Sequence, residues 1–375
     1  MPSAGKPLPV MHVIAPAPFG GAERVVRDLV VSQRSLGMQV SAALILETGA
    51  QQTWLEGALE KAGAPYRALR FPTRAYQGIV RALRSLVHEE SPDIVHTHGY
   101  RADVLARAAL PRGVRHVITA HGFTSGGRKN RIYEWIDRWV MKRVDAVIAV
   151  SAPLAQLLER RGIPAHKIHC IPNGAIPPEP LSRGEARHRL GLAPDGIAIA
   201  WIGRLSHEKG PDLFIDALRS VRHESVQAVL IGEGPMEPEL RREVQRAATA
   251  ANIVMAGRVE DAGSYLPAFD VLVLSSRTEG SPIVVAEALQ LGVPIVAPAV
   301  GDLPRLSEHL GIIELATPGG SGDLAEKITG VLQDLPRYRE RAERARPEAR
   351  RIVGTETWMQ EISRVYELVI RDLAV

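Results

Sequence analysis

The reading of this chain turns on Val271-Leu272-Val273-Leu274-Ser275-Ser276-Arg277-Thr278-Glu279-Gly280-Ser281-Pro282-Ile283-Val284-Val285-Ala286-Glu287. The first four residues are an apolar run of strand length. Ser, Gly and Pro then crowd residues 275–282, a turn composition. A helical pattern follows, with Ser281 suited to the N-cap and Pro282 to the first helical position. A strand passing through a glycine turn into a helix aims free backbone N–H groups at one point, a ready anion site. Glu279 lies in the turn and Glu287 on the early turns of the helix. Two carboxylates beside an anion site suit a ligand that carries phosphates and hydroxyls together.

The same rhythm runs outward from this stretch. Val10–Ala15, Val40–Leu46, Ile94–Thr97, His116–Thr119 and Ala146–Val150 read as strands, with helical patterns between several of them. Beyond residue 195 it restarts, with strands at Ile197–Ile202, Val226–Ile231, Ile253–Ala256, Val271–Leu274 and Ile295–Ala297. Helical patterns fall at 210–223, 235–250, 282–291 and 322–333. Such alternation implies an α/β fold with parallel sheets covered on both faces. The Pro-rich stretch Ile171–Pro180 sustains neither a helix nor a central strand. The expected organisation is therefore two doubly wound Rossmann-like domains, 1–174 and 195–354, with a linker at 175–194 and a cleft between them. Trp358, Ile362, Val365 and Val369 share one face of a C-terminal helix expected over 355–375.

Bulk composition agrees with this and removes other classes. At 375 residues two domains are the natural division, and 45% hydrophobic with 23% charged residues is ordinary for globular protein. The lone Cys170 excludes an intrachain disulfide framework and a cysteine-based zinc site. No secretory leader and no transmembrane run is evident, so the cytoplasm is the expected location. The net charge of +4 permits anionic substrates or a membrane surface. With no zinc finger, aromatic RNA-binding strand or long Lys/Arg run, nucleic acid is not expected as a partner.

In doubly wound sheets ligands sit at the carboxyl ends of the strands. Gly20 and Gly21 follow the first strand, where backbone can approach a ligand closely, yet the spacing is not Gly-x-Gly-x-x-Gly. Glu47 ends the second strand, but one acid without that fingerprint does not make a dehydrogenase. His96 and His98 fall on one side of an extended segment, with no third metal ligand nearby in sequence, and read equally as satisfied loop histidines. His121 precedes Gly122 at another strand end and is a candidate for substrate contact. Arg204 and Lys209 bracket a turn after Gly203; they suit a diphosphate, or else pair with Glu208 or Asp212 at the surface. Gly232, Glu233 and Gly234 close a further strand, either to admit a nucleobase or simply to turn.

Together these motifs resemble the GT-B glycosyltransferases, in particular the retaining family 4. The resemblance rests on Gly-Gly-Ala-Glu at 20–23, His121-Gly122, Asn173-Gly174, Gly-Arg-Leu…Glu-Lys-Gly at 203–210, Gly-Glu-Gly-Pro at 232–235, Glu279…Glu287, Pro294 and Gly301-Asp302-Leu303-Pro304. It implies that Arg204 and Lys209 hold the donor diphosphate, Glu287 the ribose and Glu279 the sugar hydroxyls. Gly280, Ser281, Pro282 and Ile283 would line the phosphate, with Gly20, Gly21, Gly203 and Gly232–Gly234 around the donor. His121 would contact the donor sugar, and the C-terminal helix would cross back onto the first domain; His96 and His98, from their own place at a strand end, are acceptor-side candidates. Two departures stand out: Gly280-Ser281-Pro282 is a variant after the first Glu, and Ala175 follows Asn173-Gly174 where the family often has Asp. No Asp-x-Asp motif occurs, against a metal-dependent GT-A enzyme; no metal or cofactor is expected.

The implied function is hexosyl transfer with retention from a nucleotide diphosphate sugar, UDP- or GDP-linked, to a hydroxyl of a glycan or lipid-linked acceptor. Cell-surface polysaccharide or glycoconjugate synthesis is the implied setting. The basic and aromatic stretch 127–143, with Arg67, Arg70, Arg74, Arg81 and Arg84 in the same half, raises peripheral contact with the inner membrane face. The rival for that stretch is that Ile132, Trp135, Ile136 and Trp139 pack on the sheet. Rival functions are a nucleotide-sugar epimerase, which consumes donor without acceptor, and a non-catalytic nucleotide-sugar-binding protein.

Overall fold

The structure is a computed structural model that describes residues 8–17, 20–122, 136, 138–221, 226–246 and 252–371. The chain forms two compact units, Met1–Asn173 with Thr355–Val375, and Gly174–Gly354.

The first unit holds a parallel sheet of β1 (Val10–Ile14), β2 (Val40–Glu47), β3 (Tyr66–Phe71), β4 (Ile94–His98), β5 (Arg115–Ala120), β6 (Ala146–Ala149) and β7 (Ile168–Cys170). Their order is β3-β2-β1-β4-β5-β6-β7. The second unit holds β8 (Ile197–Ile202), β9 (Val226–Ile231), β10 (Asn252–Gly257), β11 (Val271–Val273), β12 (Ile295–Pro298) and β13 (Ile313–Ala316), ordered β10-β9-β8-β11-β12-β13. In each sheet the chain winds one way and then returns to the other side of the first strand. The switch points therefore lie between β1 and β4 and between β8 and β11, where doubly wound sheets open a crevice at their carboxyl ends.

Central strands are buried on both faces, as the continuous burial of β1 and β4 shows. Leu29, Leu83 and Ile79 cover the first sheet; Phe214, Ile328 and Val331 cover the second. The strands not anticipated, β3, β7 and β13, are all edge strands. An edge strand need not be apolar on both faces: β3 carries exposed Arg67 and Arg70, and β7 is only three residues long.

Two helices also depart from expectation. Arg183–Leu190 lies inside the stretch expected as linker. Ser182 accepts from Glu185 N at its start, Gly191 ends it in the left-handed region, and Arg187 anchors it through Asp270 and the carbonyl of Ala268. Leu335–Val353 forms a 19-residue helix whose Arg-rich sequence and internal Pro347 masked it. The helix Thr355–Arg371 belongs to the first unit and buries Trp358, Met359, Ile362, Val365, Tyr366 and Val369, partly against Gly21–Ser35.

Of the basic and aromatic stretch, residues 127–135 and 137 lie outside the described residues. Trp139 does not pack on the sheet: it is 46% exposed, with the Arg143 guanidinium 3.9 Å from its ring centre. Val140 and Met141 are buried in its place. Among the described residues no helix is long and apolar enough to cross a membrane.

Candidate functional site

At the β8/β11 switch point two loops meet. The loop after β8 makes a short 3-10 turn at His207–Lys209 and enters the helix Pro211–Leu218. The loop after β11 runs from Leu274 to Pro282 and enters the helix Ile283–Leu291. Lys209 Nζ donates to both carboxylate oxygens of Glu279, at 2.7 and 2.8 Å, and Ser276 Oγ donates to Glu279 Oε1 at 2.7 Å. The Glu279 side chain is 5% exposed and that of Lys209 32%. Lys209 thus pairs with neither Glu208 nor Asp212. Asp212 is taken by Arg277 through two bonds of 2.9 and 2.6 Å, and Arg277 NH1 also donates to the His207 carbonyl. A bidentate Arg–carboxylate pair of this kind fixes one loop against the other. Arg204 is exposed one residue past Gly203.

Glycines let these loops lie against each other. A Cβ on Gly210, which has φ +63°, would lie 2.2 Å from the Ser275 carbonyl oxygen. Ser275 Oγ in turn donates to the Gly210 carbonyl and accepts from the Trp201 indole N–H. At Gly232, with φ +145°, a Cβ would meet the Gly203 carbonyl oxygen at 1.8 Å, and at Gly234 the Leu205 carbonyl oxygen at 2.4 Å. Gly232 and Gly234 are therefore needed where their loop meets the 203–205 loop, which Leu205 N ties to the Glu233 carbonyl at 2.9 Å. The Glu233 side chain pairs loosely with Arg258 at 3.5 Å. Gly301 (φ +60°) presses on the Glu279 and Gly280 carbonyls, and Asp302 N donates to Gly280 O at 2.9 Å.

The helix Ile283–Leu291 starts one residue later than expected. Pro282 is its N-cap, without a side-chain cap, because Pro282 is extended at ψ 121° and its carbonyl accepts the first helical N–H groups. Gly280, Ser281, Pro282 and Ile283 form the entry to this N-terminus, so the N–H-rich end stands beside Glu279. Glu287 sits one turn further in and is 3% exposed. Its carboxylate lies under Gly263, where a Cβ would come within 2.6 Å of Oε2.

In the first unit the carboxyl ends of β1, β4 and β5 hold a different chemistry. Gly20 is the N-cap of the helix Gly21–Ser35, and Glu23 reaches back to accept from Ala17 N at 2.7 Å. His96 and His98 are strand residues, not loop residues, and are 0% and 2% exposed, so neither offers a surface to an acceptor. The missing third imidazole is His12: β1 pairs with β4 in parallel, setting His12 opposite His96. The three rings bring nitrogens within 4.8 Å of one another. Both nitrogens of all three are already hydrogen-bonded, so the arrangement is a polar network and not a vacant ligand set. His12 bonds Gln33 Oε1 at 2.8 Å and His98 at 3.0 Å; His98 bonds His121 at 3.3 Å; His96 bonds Tyr366 Oη and Thr119 Oγ1, each at 2.7 Å. Burial pulls the pKa of His12 and of His121 down to about 4 and holds His96 and His98 well below the usual imidazole range. His121 is partly exposed, one residue past β5.

Sequence reasoning missed His12, Gln33, Tyr366, Ser276 and Arg277. The first was readable: with β1 beside β4, the usual doubly wound order, residue parity puts His12 on the face of His96 and His98.

Residues 20–174 match the glycosyl transferase 4-like domain, and residues 196–334 match the glycosyl transferases group 1 family. Over 286 residues the chain is 30% identical to the lipopolysaccharide core biosynthesis mannosyltransferase LpsB of Rhizobium meliloti, covering 73% of this chain and 79% of that protein. It is 28% identical to the UDP-Gal:alpha-D-GlcNAc-diphosphoundecaprenol alpha-1,3-galactosyltransferase of Escherichia coli, over 57% of this chain and 60% of that one. The crystal structure of Anabaena Alr3699/HepE in complex with UDP-glucose matches with a TM-score of 0.82 over 96% of this chain and 99% of that chain, at 23% identity.

Proposed function

The chain belongs to the group 1 glycosyltransferases of family 4, with the GT-B fold, and from that premise we propose a retaining hexosyltransferase using a UDP- or GDP-linked sugar. The acceptor is a hydroxyl of a glycan or a lipid-linked glycan, in polysaccharide or glycoconjugate synthesis. The naming of the Rhizobium and Escherichia coli relatives supports that acceptor class. The naming of HepE with UDP-glucose supports a nucleotide-sugar donor.

The observation that carries the reading is the Lys209–Glu279–Ser276 cluster beside a helix N-terminus at the β8/β11 switch point. An ammonium has three N–H donors and a carboxylate about four acceptor sites. Two donors of Lys209 go to Glu279, and Glu279 accepts three bonds in all, so each group retains capacity for a ligand. Lys209, Arg204 and the N–H groups at Ile283 meet the diphosphate, while Glu279 accepts from sugar hydroxyls. Glu287 takes the ribose. The acceptor oxygen bonds to the anomeric carbon as that carbon's bond to the diphosphate oxygen breaks. The hydroxyl proton leaves on the diphosphate, and the nucleoside diphosphate departs. Charge developing on the leaving group is met by preoriented cations and dipoles, which in such sites contribute about 10²–10³ in rate per donor. Turnover in the presence of a chelator is accordingly expected to persist.

Thermal-shift screening of UDP- and GDP-sugars identifies the donor, since binding stabilises the fold by mass action. NMR of the product then reads the anomer. An inverted product removes the retaining mechanism, and donor consumption without acceptor turns the reading to an epimerase.

A further inference from the structure

Beneath His121 lies a file of side chains with no place in the chemistry above. Gln33 comes from the helix Gly21–Ser35, His12 from β1, and His98 from β4. Gln33, His12 and His98 are 1%, 0% and 2% exposed. The contacts run Gln33 Oε1 to His12 Nε2 (2.8 Å), His12 Nδ1 to His98 Nε2 (3.0 Å), and His98 Nδ1 to His121 Nε2 (3.3 Å).

A neutral imidazole carries one N–H and one lone pair. The carbonyl-type oxygen of Gln33 only accepts, so the proton of His12 is on Nε2 and its Nδ1 is bare. His98 must then donate from Nε2, which leaves its Nδ1 bare. His121 must donate from Nε2, which leaves its own Nδ1 as a lone pair. The Gln33 amide also heads a second file. With its Nε2 donating to Tyr366 Oη at 3.2 Å, the self-consistent assignment has Tyr366 donating to His96 Nδ1 and His96 Nε2 donating to Thr119 Oγ1. Turning the amide over would reverse both files at once and move the His121 proton to Nδ1. A proton added to His12 or His98 would oppose two N–H groups across one contact, so the files stay neutral.

We propose that His98, His12 and Gln33 are positioning residues that hold His121 as its Nε2–H tautomer, leaving Nδ1 as a hydrogen-bond acceptor for a sugar hydroxyl. The proposal rests on the glycosyltransferase reading, with His121 as a substrate contact of the first unit. The geometry makes Gln33, three side chains away, the anchor of that tautomer. It also makes the helix Thr355–Arg371 part of the same system through Tyr366.

The test is long-range ¹H–¹⁵N correlation NMR of the full chain labelled at histidine, together with donor kinetics. Wild type is expected to show His121 protonated at Nε2. Gln33→Met keeps every imidazole but removes the anchor, and should give mixed tautomers with kcat lower by about tenfold, the scale of one misdirected hydrogen bond. His98→Phe should reproduce the Gln33→Met effect by a separate break. An Nδ1–H or mixed tautomer in wild type overturns the proposal, as does unchanged kcat in Gln33→Met when His121→Ala is impaired. Wild-type kinetics in His121→Ala would instead refute the underlying reading that His121 is a substrate contact, and the proposal with it.

Discussion

Lowering the pH from 7.5 to 5.5 should destabilise the first unit severely. His12, His96, His98 and His116 are 0%, 0%, 2% and 3% exposed, and burial is the main cause of the lowered pKa of each. His12 falls to about 4 and His116 to about 3, where Arg107 adds repulsion. In the unfolded chain these imidazoles titrate near 6.5. A base whose pKa is depressed by folding binds its proton more readily when unfolded. Its contribution to stability is therefore intact above 6.5 and is lost as pH falls from there toward the folded value. An imidazole still neutral in the fold at pH 5.5 accounts for about 1.3 kcal/mol between the two pH values, so four account for about 5 kcal/mol. Domains are typically stable by only about 5–15 kcal/mol. Urea unfolding at the two pH values, with hydrogen exchange of β1 and β4 peptides to isolate the first unit, measures this directly. The slope near pH 5.5 should report uptake of roughly four protons on unfolding. A change below about 1 kcal/mol, or ring resonances of these histidines titrating near 6.5 in the folded protein, would refute the reasoning.

Four further outcomes are expected. Lys209→Ala and Glu279→Ala should each lower kcat/KM by about 10²–10³ with far smaller changes in melting temperature, and wild-type kinetics in both would remove the site. Glu287→Gln should raise KM for the ribonucleotide donor but add little when the donor's ribose is 2′-deoxy; an equal penalty on both donors would show that Glu287 does not reach the ribose. Gly301→Ala brings a Cβ to 2.4 Å from the Gly280 carbonyl oxygen at φ +60°, so it should cost more than about 1 kcal/mol and displace the Glu279 loop, read as a lower melting temperature with weaker donor binding. Asp270 is buried and takes Arg183, Arg187, Arg339 and the Ala198 N–H, so Asp270→Asn should cost about 3–5 kcal/mol in urea unfolding by leaving the buried Arg187 charge uncompensated.

The central strands were legible because burial on both faces forces continuous apolar runs, as in Ile197–Ile202 and Val226–Ile231. The edge strands β3, β7 and β13 were not, because β3 and β13 have a face free to carry Arg67 or Glu314 and β7 is only three residues long, whereas the edge strand β10 was read from its apolar run Ile253–Ala256. The chemistry after β8 and β11 was legible as residue types, but its pairing was not. Glu208 and Asp212 were near Lys209 in sequence, whereas its partner Glu279 is 70 residues away. Only the strand order, which sets β11 beside β8, brings the two loops together. Of the two readings open for Gly232 and Gly234, the structure supplies a reason for the turn: Gly203 and Leu205, on the adjacent strand's loop, occupy the space where a Cβ would stand.

His96 and His98 teach a more general distinction. A polar side chain inside a parallel strand covered on both faces has no solvent, and burying it unbonded costs several kcal/mol. It must close a network with its neighbours, as the two histidines do through His12, Tyr366 and Thr119. A polar residue one or more positions beyond the strand end is free of that demand and can retain bonding capacity. His121, Arg204, Lys209 and Glu279 all lie past their strands, whereas His12, His96 and His98 lie within them. Strand register therefore sorts candidates that an inventory of residue types cannot. Residues past the end can meet a ligand. Those one or more positions earlier, closed into a network, act on a ligand through the outer ones, as proposed for His98 through His121.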